Sequence, residues 1–88
     1  MSNTSQAVST AGIADQIKLV AADALDNGLS VKIDRNIPSV SIQNDADPDS
    51  GYFFQGSEAD GILHEADEQA GFYGVTTEEY FAFVSQNW

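Results

Sequence analysis

Cysteine is absent from the 88 residues, which removes a disulfide framework, a thiolate zinc site and a cysteine nucleophile from consideration. Histidine occurs once, at His64, and only Lys18, Lys32 and Arg35 carry a permanent positive charge. So few bases cannot neutralise a phosphate backbone, and this excludes nucleic acid as a direct partner. No apolar run approaches the ~20 residues that a membrane-spanning helix needs. Residues 1–9 hold neither a base nor an apolar stretch of signal-peptide type. The expectation is a cytoplasmic protein without a membrane anchor. A phosphate-cradling loop is missing too, because Gly56-Ser57 is isolated and the turn after it carries Glu58 and Asp60, which repel anions.

The residues that are present are enough for one modest core. Hydrophobic residues make up 42% of the chain and nine residues are aromatic, which argues against global disorder. A chain of this size buries about 60–65% of its unfolded surface, and its stability is expected near the lower end of ~5–15 kcal/mol. The net charge of −11 is unevenly spread. In residues 1–35, Asp15, Asp23, Asp26 and Asp34 face the three bases, a net of −1. From Asn36 onward there are ten carboxylates and no Lys or Arg. Such asymmetry points to an electrostatic face aimed at a partner, with solubility as the plainer reading.

Residues 1–9 are rich in Ser, Thr, Asn and Gln and are expected to form a frayed tail ahead of one acidic domain, 10–88. Ile13, Ile17, Val20, Ala21 and Ala24 recur at helical spacing and predict a helix over 10–27, stopped by Asn27-Gly28. The period then changes to two. Leu29, Val31 and Ile33 alternate with polar residues, as do Val40 and Ile42, and these read as two strands joined by a hairpin connection over 35–38. A loop is expected over 44–51, then a short third strand over 52–55. A second helix is expected from Ser57, with Asp60 as a capping partner. Its apolar stripe is Ala59, Ile62, Leu63, Ala66, Ala70 and Tyr73, and Gly74 ends it. Thr76 and Glu79 form a capping box opening a third helix, whose aromatic face is Tyr80, Phe81, Val84 and Trp88. The order α-β-β-β-α-α predicts an α+β domain, a three-stranded antiparallel sheet with helices on one face.

Three constellations bear on function. His64 faces away from the apolar stripe among Glu65, Asp67 and Glu68, and reads as a solvated histidine rather than a catalytic base or metal ligand. Asp45, Asp47 and Asp49 stand at alternate positions like the start of a calcium loop. The EF-hand pattern nevertheless fails at Ser50, where it needs Gly, and at Gly56, where it needs Glu. No metal or cofactor site is therefore expected, and no enzyme. The third constellation is the acidic surface itself: Asp45, Asp47, Asp49, Glu58, Asp60, Glu65, Asp67, Glu68, Glu78 and Glu79. Carboxylates about 4.5 Å apart along a helix, as at 65 and 68, imitate a phosphate track by potential but not in register. Such a face is attracted to a Lys/Arg-lined channel. Phe72, off the apolar stripe, is the candidate aromatic anchor; Phe83 fits better in the core.

The stretch over 52–60, Tyr-Phe-Phe-Gln-Gly-Ser-Glu-Ala-Asp, together with the acidic helix after it, resembles a block in small proteins of phages and mobile elements. The resemblance covers about 37 residues. In size and charge the chain also resembles phage anti-defence inhibitors of the acidic anti-CRISPR and DNA-mimic type. No residue-level family match accompanies it. The resemblance implies an inhibitor that binds a nucleic-acid-handling host complex and leaves it occupied, and the partner expected from the charge is a basic protein surface. The chain itself is expected to be a monomer or homodimer. The alternatives are acidity as salt adaptation or solubility, and a small-ligand or cation module using the 45–49 segment or a pocket between helices and sheet.

Overall fold

The structure, a computed structural model, describes residues 10–87. The expected tail over 1–9, and Trp88 of the expected aromatic face, lie outside the described residues. The observed order is α1 (Thr10–Asp26), β1 (Leu29–Asp34), β2 (Ser39–Asn44), β3 (Asp47–Gln55), α2 (Gly56–Tyr73), α3 (Thr77–Val84) and a 3-10 turn, Ser85–Asn87. This is the expected α-β-β-β-α-α arrangement, with an antiparallel sheet in the order β1-β2-β3.

The period-two pattern sets the two faces of the sheet. Val31 pairs with Ile42 and Ile42 with Tyr52; Ile33 pairs with Val40 and Val40 with Phe54. These rows face the helices. The alternating rows, Lys32–Ser41–Phe53 and Asp34–Ser39–Gln55, face the other way. Against the apolar face lie Ala21 and Ala24 of α1, Ala59, Leu63 and Ala66 of α2, and Phe81 and Ala82 of α3. Most of these helix residues are alanine, which lets the backbones approach closely. Phe81, 1% exposed, then fills the centre. α3 packs on α1, on α2 and on β1, so the shortest helix is the keystone of the helical layer.

Two boundaries differ from expectation. The segment 44–51 is not a loop: after a two-residue turn at Asp45 and Ala46, β3 begins at Asp47. Between the pairs Ile42–Tyr52 and Asn44–Asp47, β2 contributes only Gln43, whereas β3 contributes four residues, a broad bulge. Asp, Pro, Ser and Gly over 47–51 carry turn chemistry. The edge position of β3 nevertheless admits proline. Gly51 lets the bulge close, since a Cβ there would lie 3.2 Å from the carbonyl oxygen of Ile42. The second correction concerns the start of α2. Its N-cap is Gln55, not Ser57, and no side chain caps it. Pairing of Gln55 with Ser39 holds its backbone extended at φ −139° and ψ 160°, the conformation an N-cap requires. The Gly56 N–H donates to the Pro38 carbonyl, and the helix follows directly from the strand.

The other end signals appear as expected. Gly74 adopts φ +77° and its N–H donates to the Ala70 carbonyl, ending α2 in the left-handed conformation that glycine tolerates. At the start of α3 the Thr76 hydroxyl accepts from the Glu79 N–H at 3.0 Å, while the Glu79 carboxylate accepts from the Thr76 N–H at 2.9 Å. The capping box is complete.

Candidate functional site

The acidic residues separate into groups once the fold is known. Some are engaged by the fold itself. Asp67 is the clearest: Arg35, from the β1–β2 connection, donates to both its oxygens, at 2.7 and 2.9 Å. The Thr77 hydroxyl donates to the same carboxylate at 2.6 Å. The Arg35 hydrogen bonds, then the Thr77 one, hold the Asp67 carboxyl below the usual range, and the same pairing raises the Arg35 pKa. Asp67 therefore does not belong to an uncompensated array: the fold carries the last base of the chain across to a carboxylate 32 residues later. Glu79 is committed to the capping box. Glu58 and Glu78 lie in first helical turns, where the helix dipole favours negative charge.

The expected 45–49 cluster is a turn residue followed by two residues of an edge strand. Asp45, Asp47 and Asp49 are exposed. Among the described residues no group of three His, Cys, Asp or Glu is arranged to hold a metal ion. Asn44, paired with Asp47, lies five strand steps, about 16 Å, from Ser39, which pairs with Gln55 at the start of α2. Asp45 and Asp47 thus stand at the opposite end of the sheet from Glu58 and Asp60.

What remains concentrated is the outward ridge of α2. Ala59, Leu63, Ala66 and Ala70 turn into the core. At 100° per residue the opposite line is Glu58, Gly61, Glu65, Glu68 and Phe72, a spacing of three, four, three and four. All five are exposed, Phe72 at 67%. The Phe72 ring meets Tyr73 edge-on, with centroids 5.0 Å apart. His64 beside this ridge is solvated as expected, with Nε2 4.0 Å from Glu68. Asp60 lies on the helix flank and is exposed.

Beside the ridge is a feature that the sequence indicated only as a pocket between helices and sheet. A groove of about 550 Å³ opens between β3, α2 and α3. Tyr52 and Phe54 wall it on the sheet side, Ile62 and Ala66 on α2, and Tyr80, Phe81 and Val84 on α3. Among the described residues Glu65 is its single charged lining residue. Burial, then the Glu65 charge, then Tyr73, raise the Tyr80 pKa. The aromatic pattern at Tyr80 and Phe81 signalled a core. No sequence period places this groove, because its lining residues on β3, α2 and α3 lie far apart in the chain.

Comparison with protein-family profiles finds no match, and neither do comparisons with curated proteins and with solved structures. None of the helices among the described residues is long and apolar enough to cross a membrane.

Proposed function

We propose that this chain is a non-catalytic binding protein, an inhibitor of the anti-CRISPR or DNA-mimic type. Its acidic helix ridge would block a basic, nucleic-acid-binding surface of a host defence or DNA/RNA-handling protein. The observation that carries the reading is the composition of the α2 ridge. Glu58, Glu65 and Glu68 face solvent in one line, Phe72 stands exposed at its end, and no Lys or Arg lies on the helix. Carboxylates so arranged speed encounter with a cationic surface. An exposed aromatic at the end of the line adds the kind of side chain that dominates interface energetics when buried. Exposed Asp60, Glu78 and the 45–49 carboxylates extend the negative field, whereas Asp67 and Glu79 are engaged within the domain.

The test is capture from host lysate at low salt, elution with a salt gradient, identification of the eluted protein, and competition with its nucleic-acid ligand. The triple charge reversal Glu58→Lys, Glu65→Lys and Glu68→Lys is expected to abolish capture while circular dichroism stays unchanged. Capture that survives the reversal, or that does not weaken with salt, refutes the reading.

A further inference from the structure

We propose that the groove between β3, α2 and α3 is a docking pocket for an apolar side chain that the basic partner carries next to a Lys or Arg, with Glu65 receiving the cation. The inference rests on the basic-partner reading and goes further by naming the segment chemistry and the place where it seats.

The groove volume of about 550 Å³ lies within the ~300–1,000 Å³ typical of pockets that enclose a ligand. Its walls are apolar and aromatic, with Ile62, Phe81 and Val84 contributing only hydrocarbon. The hydrophobic effect therefore favours an apolar occupant. Charge complementarity then selects among apolar occupants. Glu65 is exposed at the wall, and among the described residues no cation lines the groove. An acidic or phosphorylated occupant would be repelled, and a neutral one would cover the carboxylate without pairing it. A cation attached to an apolar group satisfies both requirements.

The source is a chain segment rather than a lone amine, because the groove opens onto the ridge. Glu65 belongs to both. Glu68 lies about 4.5 Å further along the helix axis and Glu58 about 10.5 Å back. A segment with one apolar residue in the groove runs past these carboxylates and offers each a cation, whereas a small amine meets Glu65 alone.

The experiment follows the full-length chain by NMR during titration with acetyl-Lys-Leu-Leu-Lys-amide. Three further probes accompany it: the same peptide with Glu flanks, acetyl-Lys-Ser-Ser-Lys-amide, and n-hexylammonium. Saturable shifts are expected at the Ile62, Ala66 and Val84 methyls and the Tyr80 ring with the Lys-Leu peptide alone. Glu65→Gln, an exposed change that leaves the core intact, is expected to weaken that binding about two- to fivefold, the worth of an exposed ion pair. Absence of groove shifts overturns the inference, as does equal binding of the Glu-flanked peptide. Binding of n-hexylammonium as tight as that of the peptide overturns it as well, since the pocket is then a small-amine site. If the Lys-Ser peptide perturbs the Glu58–Glu68 ridge while the Lys-Leu peptide leaves the groove untouched, the inference fails and the acidic-ridge reading stands. If no basic probe binds anywhere at low salt, both fail.

Discussion

The pairing of Arg35 with Asp67 predicts a measurable coupling between two residues 32 positions apart. The side chains are 54% and 41% exposed, so water and salt screen them. Exposed ion pairs are worth ~0.2–1 kcal/mol. The two-pronged geometry, at 2.7 and 2.9 Å, places this pair in the upper part of that range. The expected coupling is about 0.5–1 kcal/mol. In a domain of this size 1 kcal/mol moves Tm by roughly 4–8 °C. The assay is a double-mutant cycle by urea denaturation, with Arg35→Gln, Asp67→Asn and the double variant. Asp67→Asn retains an oxygen to accept from Thr77, so the cycle isolates the charge pair. At about 1 M salt, where the screening length falls to ~3 Å, the coupling is expected to shrink. The pH dependence has a definite sign. The folded-state pKa of Asp67 is depressed, so its contribution is fully present above the unfolded value of about 3.9 and is lost as pH falls through the folded value. The stability difference between the parent chain and Asp67→Asn should therefore be constant near neutrality and close in acid. A coupling below about 0.2 kcal/mol at low salt would refute the reasoning and return Asp67 to the pool of carboxylates available to a partner.

Phe81→Ala removes the central buried side chain at a cost of about 3–5 kcal/mol. That approaches the whole stability of a small domain, so the variant is expected to lose its cooperative thermal transition in circular dichroism. Thr76→Ala breaks the capping box and is expected to cost about 1 kcal/mol, read as a shift in urea midpoint that Thr76→Ser largely avoids. Phe72→Ala, at an exposed site, should change stability by less than ~0.5 kcal/mol. It should nevertheless weaken partner capture, which distinguishes an anchor from a core residue.

Residues close in sequence explain most of what was legible. The stripe Ala59–Leu63–Ala66–Ala70, the capping box at Thr76 and Glu79, and the stop at Gly74 are local rules, satisfied within one or two helical turns. The alternation over 29–34 and 39–44 likewise specified two strands and their buried face. Local rules failed where a neighbouring strand decided. The 47–51 segment has turn chemistry and became strand because Asn44 pairs with Asp47 and Gly51 lies against the backbone of β2. Ser57 has the better capping side chain, yet sheet pairing had already extended Gln55.

The same division runs through the acidic half. Sequence alone determined that ten carboxylates follow Asn36 without a base, and that Glu58, Glu65, Glu68 and Phe72 share the outward line of one helix. A helical period is enough to place them. Only the tertiary structure decided which carboxylates remain available and what lies beside them. Arg35 reaches Asp67 because the β1–β2 connection, α2 and the start of α3 meet at one point. The 45–49 carboxylates stand at the far end of the sheet from Glu58, and an apolar groove opens next to Glu65. Charge in a sequence is a sum over residues, whereas the field a partner meets depends on distances, and folding sets those distances between residues far apart in the chain.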